Sequence, residues 1–265
     1  MSTADATSAA ESAAASRRPR QRYGTIVVVG GGCYGGYYVR QLGRAERAGA
    51  MEWTELLVVD RDAACAVARA GDDDRPPRMR LVISTWEAFF ASYLAEAAGS
   101  ESRDDAIVPS PLMPHLMADW LVDRARARWA DRDIRIEPLD GSLPVPWQRA
   151  GEDGTHYVSF AEWMCPINCI EPARCPETRD TRTWSLPTAL RRHTVDGQAR
   201  GANVGVPLLF HCTHRAFGVG MIDVRDVLAA DAAIAAAGTS GQGRFLIGTV
   251  SHCHGALRRV TIGVP

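Results

Sequence analysis

The sequence predicts a doubly wound, mostly parallel α/β sheet followed by a Cys/His-rich α+β extension. Short continuous apolar runs at 25–29 (TIVVV), 56–59 and 106–108 have the texture of strands buried on both faces. Helical stretches separate these runs, and a glycine loop follows the first of them directly.

Taken in order, the run 25–29 is the first strand and the loop after it opens a helix over 35–48. The second strand, 56–59, ends in Asp60. A third strand is expected at 81–84, a helix at 86–97, a fourth strand at 106–108, an amphipathic helix at 114–129, and a fifth strand of the same sheet at 134–137. Beyond Leu139, Gly, Pro and Trp punctuate a long stretch through Pro207, read as irregular. Regular structure is expected to return with strands at 206–210, 245–250 and 259–264 and a helix at 224–237. The implied organisation is a tail (1–22), a nucleotide-binding domain (23–140) and a Cys/His-rich cap, metal-binding or dimerisation region (141–265). The tail is Ala/Ser-rich and then basic, and reads as disordered.

Composition excludes several classes of function. The net charge is −1, so no global field recruits nucleic acid or an anionic membrane. The 30 basic residues are all arginine, which removes Schiff-base chemistry. No apolar run approaches the ~20 residues needed to cross a bilayer, and the arginine pair Arg17-Arg18 lacks the apolar segment of an export signal. A cytoplasmic location is expected, with the seven cysteines as thiols or metal ligands.

The loop Gly30-Gly31-Gly32-Cys33-Tyr34-Gly35 has the GxGxxG spacing between strand and helix. Gly30 permits the tight turn, Gly32 lets a pyrophosphate approach the backbone, and Gly35 lets helix and strand pack closely. The helix N-terminus offers free N–H groups to phosphate oxygens. Asp60, 25 residues beyond Gly35, stands where an acid hydrogen-bonds ribose hydroxyls and favours NAD over NADP, a preference softened by Arg61. These residues resemble the NAD(P)-binding Rossmann superfamily over about 23–139, with a likeness to the nucleotide-binding domains of potassium-uptake regulators and to short dehydrogenases. The resemblance implies a dinucleotide without selecting a reaction, and a sheet binding S-adenosylmethionine shares the loop and the acid. Residues just past the strand ends then line the ligand crevice: Cys33, Tyr34, Thr85, Pro109, Ser110 and His115, the last a candidate near the nicotinamide.

Cys165, Cys169 and Cys175 lie within eleven residues, two of them followed by proline, as suits a loop wrapped on a metal. Their CxxxCxxxxxC spacing matches no standard zinc or ferredoxin pattern, so zinc and an iron–sulfur cluster both stay open. The fourth ligand is expected from Cys212, Cys253 or a histidine neighbour. Four of the seven histidines fall in two motifs, His211-Cys212-Thr213-His214 and His252-Cys253-His254. Strand alternation puts His252 and His254 on one side and Cys253 on the other. Cys212, His252, Cys253 and His115 are the catalytic candidates. The expected function is an NAD(P)-linked oxidoreductase acting on a small molecule or redox partner, with a homodimer as the expected assembly. The alternatives are a nucleotide- or redox-sensing protein without turnover and a metal-handling protein on the same scaffold.

Overall fold

The computed structural model describes residues 20–71, 75–99, 104–139, 141–163, 165–166, 169–201, 205–239, 241 and 243–263. The expected tail lies outside them up to position 19. Gln21 and Arg22 already belong to a strand, since Arg20 and Arg22 both pair with Glu52 on the neighbouring one.

The described elements run β1 (Gln21–Val29), α1 (Cys33–Arg47), β2 (Met51–Asp60), β3 (Met79–Ile83), α2 (Trp86–Ala98), β4 (Ala106–Val108) and α3 (Leu116–Arg128). They continue with β5 (Ile134–Glu137), β6 (Trp147–Ala150), β7 (His156–Ser159), α4 (Leu186–Ala199), β8 (Val206–His211) and β9 (Thr213–Ala216). The last are β10 (Val219–Asp223), α5 (Val224–Thr239), β11 (Gly243–Val250) and β12 (His254–Ile262).

The chain is a mixed α/β protein with two mixed sheets. In the first, β3-β2-β1-β4 are parallel, and β10 and β9 extend the β4 side antiparallel. In the second, the order is β6-β7-β12-β11-β8, antiparallel except where β8 pairs with β11. β5 lies beside β12 in succession to β7.

Burial sorts the helices into layers. Ile26, Val28, Leu56 and Val58 of the first sheet pack with Val39, Leu42 and Ala45 of α1. The opposite face, through Val27, Val29, Leu57 and Val59, meets Phe89, Phe90, Leu121, Val122 and Val227 from α2, α3 and α5. The same helices also cover Phe245, Ile247, Val260 and Ile262 of the second sheet. Leu186 and Leu190 of α4 close that sheet's outer face on Leu246, Val250 and Leu257. One layer of three helices is thus shared by two sheets. Each sheet then buries apolar side chains on both faces, the arrangement that continuous apolar strands require.

Three expectations are corrected. Ile134–Glu137 is a strand, but it joins the second sheet antiparallel. Its Ile-Arg-Ile-Glu alternation suits a strand with one wet face better than a doubly buried parallel one. The stretch read as irregular up to Pro207 contains β6, β7 and α4. Helix α4 begins with proline in its first turn and buries Leu186, Leu190, Thr194 and Gly197 at helical spacing. The last strand begins at His254 rather than 259, because it pairs with β11 from Gly255 onward. Both sheets draw strands from either side of residue 140: β9 and β10 complete the first, and β5 belongs to the second.

Asp105 ties the first sheet to its helices. It is 1% exposed and accepts the Thr25 N–H at 2.7 Å and the Tyr93 hydroxyl at 2.7 Å. Its own carbonyl accepts the Val224 N–H at the start of α5. Asp105→Ala strands two buried donors, and a loss of about 2–3 kcal/mol is expected in urea unfolding.

Candidate functional site

Two clefts lie beside the parallel strands of the first sheet. The first, about 530 Å³, lies at the carboxyl ends of β1 and β2 and is lined by Gly30, Gly32, Cys33, Tyr34, Gly35, Asp60, Thr85 and Ser110. Every nucleotide-site residue expected from sequence, except Pro109 and His115, lines this one cleft. Gly30 has a φ of +87°, and a Cβ on Gly35 would lie 1.8 Å from the Gly30 carbonyl oxygen. That contact admits no side chain at 35. Gly32 faces open space, with nothing within 4 Å of where a Cβ would stand. It caps α1 without a side-chain hydrogen bond, and the first turn holds no acid, so the helix end faces the cleft with amides unoccupied by a side-chain cap.

Asp60 ends β2 beside the loop. One carboxylate oxygen accepts the Gly31 N–H at 2.7 Å and the other the Asp62 N–H at 2.9 Å. Each oxygen keeps a second lone pair. Trp86 forms another wall, its indole N–H donating to the Val59 carbonyl at 3.0 Å.

The Pro109-Ser110-Pro111 turn after β4 is the partition between this cleft and the second. Ser110 lines the first cleft; Pro109 and Pro111 line a cavity of about 590 Å³ and an adjoining one of about 360 Å³. The larger cavity gathers Cys165, Cys169, Cys212, Cys253, His214 and His254, with Glu162, Glu171, Tyr38 and Ser159. The Cys-rich segment and the two His/Cys motifs, separate in sequence, therefore meet in one place.

Glu171 joins them. Its side chain is 6% exposed and its φ is +49°. The carboxylate accepts the Ser251 hydroxyl at 2.6 Å, the His252 N–H at 3.0 Å and the Cys253 N–H at 3.1 Å. It thereby holds the hairpin turn between β11 and β12, which the Ser251 N–H closes on the His254 carbonyl at 2.7 Å. Burial pushes this carboxyl up, but those hydrogen bonds and the His214 imidazole, 3.8 Å away, outweigh it and leave it below its ordinary value. Glu171→Ala leaves the Ser251 hydroxyl and the His252 N–H unpaired, while the Cys253 N–H keeps the Ser251 oxygen at 3.2 Å. An expected loss of about 2–3 kcal/mol is checked by urea unfolding, and faster amide exchange at His252 and Cys253 by NMR.

The turn also corrects the alternation expected for His252-Cys253-His254. Residues 251–253 are not extended, so Cys253 and His254 both face the cavity. His252 instead packs edge-on against His211, ring centroids 4.9 Å apart. His254 Nδ1 lies 2.9 Å from the Ser159 hydroxyl, which donates to the Ala161 carbonyl at 2.7 Å and accepts the Ala161 N–H at 2.8 Å. With the hydroxyl proton on Ala161, Nδ1–H donates to Ser159 and Nε2 keeps its lone pair.

Burial lowers His254 and His214 below the ordinary imidazole value. Burial and the Glu171 carboxylate push Cys212 up to about 12. Burial likewise takes Cys253 to about 11, against the lowering effect of the Trp184 indole N–H on its sulfur. Both thiols are protonated at neutral pH, which disfavours the thiolate nucleophile expected of them. Tyr38 is raised to about 12 by burial and its neighbour Cys212.

Two expected residues lie elsewhere. Cys175 is buried outside the cavity, in a turn where the Thr178 and Glu177 amides hold its thiol below the usual range. His115 caps α3 and sits 3.6 Å from Asp119 and 4.0 Å from Asp153, in an ion-pair network around Arg258. Among the described residues, no group of three or more His, Cys, Asp or Glu side chains is placed to hold a metal ion.

Residues 117–263 match the model of a family described as "Uncharacterized protein, C-terminal domain" (AF_1314_C). The match spans more than half of the 265 residues. The chain belongs to this family. The matched region starts in α3 and holds the Cys-rich segment, both His/Cys motifs and the whole second sheet, while the glycine loop precedes it. No curated protein and no solved structure matches the chain.

Glu171, Ser159 and Tyr38 were not among the candidates read from sequence, and His254 was read only as a member of its motif and a candidate fourth metal ligand. Glu171 carried a weak signal, as the one acid inside the Cys-rich segment. Its partners lie about 80 residues away, and no local pattern points to them.

Proposed function

We propose that this chain is an NAD(P)-linked oxidoreductase in which β3-β2-β1-β4 and their helices form a doubly wound Rossmann unit. The observation that carries the reading is the placement of the two clefts on either side of the Pro109-Ser110-Pro111 turn: a glycine-loop cleft with an acid at its far end lies next to a cavity of proton-carrying side chains. That turn follows β4, beside β1, where strand order reverses and crevices form in open α/β sheets.

When bound, the dinucleotide supplies hydride donation or acceptance. The chain does the rest. The amides at the start of α1 bind the pyrophosphate, and the carboxylate of Asp60 takes the adenosine ribose and favours NAD. Pro109-Ser110-Pro111 orients the second half of the cofactor toward the larger cavity. His254, fixed by Ser159, holds or moves a proton at Nε2, and its burial favours the uncharged ring. The protonated thiols serve as wall rather than as nucleophiles.

Equilibrium titration tests this reading, following the fluorescence of NADH with NADPH and S-adenosylmethionine as competitors. Saturable NADH binding that S-adenosylmethionine does not displace supports it. Tight S-adenosylmethionine binding with none of NADH rejects it in favour of a methyl-donor site.

A further inference from the structure

The walls of the larger cavity carry a one-sided charge. Two carboxylates face it, Glu162 at the rim and the clamped Glu171 within, and among the described residues lining it there is no arginine. This is a marked absence in a chain with 30 arginines. His214 and His254 also line the wall, with His254 turned to the Ser159 hydroxyl. Three aromatic side chains complete the lining: Trp147, 42% exposed at the mouth, with Trp163 and Tyr38.

We infer that the cavity takes a small organic cation, an ammonium-bearing molecule without carboxylate or phosphate groups. A cation gains from both carboxylates and from the faces of the aromatic rings. An anion here would meet two carboxylates on the wall, while the nearby guanidinium groups are engaged behind it, Arg182 on the Glu171 carbonyl and Arg215 on Asp223, an arrangement that costs an anion affinity. The volume of about 590 Å³ suits a ligand of metabolite size. The inference deepens the oxidoreductase reading by naming its substrate class, and it rests on that reading in taking this cavity as the substrate side.

The test uses three probes of one shape and different charge: benzylamine, benzyl alcohol and benzoate. Each is titrated at neutral pH against the tryptophan emission of the full chain, with and without NADH. Benzylamine is expected to bind saturably, benzyl alcohol more weakly and benzoate not at all. Glu162→Arg changes an exposed rim residue, so it leaves the fold intact, and should weaken benzylamine by about tenfold. Benzoate binding as well as benzylamine, or no binding by any probe, overturns the inference. Stoichiometric zinc or iron in the purified protein, lost in Cys165→Ser or Cys169→Ser, also overturns it, because a thiolate-bound metal would then be the cation of this cavity. Benzylamine binding in a protein that ignores NADH would reject the dinucleotide reading while leaving the charge preference standing.

Discussion

Gly32→Val is expected to fold like the parent chain yet bind NADH more than about 100-fold more weakly, a loss near 2.7 kcal/mol. Position 32 has no atom within 4 Å of a new Cβ, and its φ of −76° is open to any residue, so the folded chain meets no clash. The valine side chain would instead project into the space that the pyrophosphate needs. Gly35→Ala, three residues on, is expected to do the opposite. Its methyl group would stand 1.8 Å from the Gly30 carbonyl oxygen, forcing β1 and α1 apart and costing about 3 kcal/mol or more of stability. Thermal unfolding and NADH titration on both variants separate a ligand-facing glycine from a packing one. Undiminished NADH binding by a folded Gly32→Val protein would remove the pyrophosphate from this loop.

The largest loss of stability is expected from Arg258→Met. Arg258 is 4% exposed on β12 and ion-pairs with Asp119 on α3 through one end of its guanidinium. The other end meets Asp153 at 2.7 Å, and Nε donates to Thr155 at 3.0 Å. Removing the cation leaves the Asp119 carboxylate half-buried without its main partner, a change of about 3–5 kcal/mol by analogy with broken buried pairs. Urea unfolding checks it.

The pH dependence follows from the same network. Burial raises the Asp153 carboxyl, but Thr155 and Arg258 outweigh it and hold it at about 2, below the ordinary 3.8. A carboxyl lowered in the folded state adds stability above its unfolded value and loses it as pH falls through the folded one. Asp153 therefore stabilises the parent chain above about pH 4, and that share fades toward pH 2. Asp119 acts in the reverse sense, since burial raises it against Arg258 and His115. In Arg258→Met the acid-side fall due to Asp153 is expected to shrink.

The first half of the chain was legible because its signals are local. Residues 26–29 are each 4% exposed or less, as a doubly buried strand must be, and the glycine loop and Asp60 fall at fixed offsets from that strand. The second half hid its pairing. β6 and β7 are four residues each, β6 is largely exposed and β7 buries only Val158 and Ser159, and the Pro and Gly around them read as loop. β5 could be found but not assigned to a sheet, since its partner β12 lies more than 100 residues on. At the site, the composition of the Cys/His cavity was visible while its geometry was not. The alternation rule failed at His252-Cys253-His254 because a distant carboxylate, Glu171, holds those residues in a turn. Cys175 was grouped with Cys165 and Cys169 by spacing alone, yet its own hairpin, closed by the bridge between Arg174 and Thr181, turns it away from the cavity.

The central claim is that one dinucleotide spans both clefts. A crystal structure of the protein with NAD tests it most directly. The account predicts the adenosine ribose at Asp60, the pyrophosphate over Gly32 and the nicotinamide past Ser110 within reach of His254. A nicotinamide directed away from the Cys/His cavity, or a cleft that stays empty at saturating NAD, would contradict it.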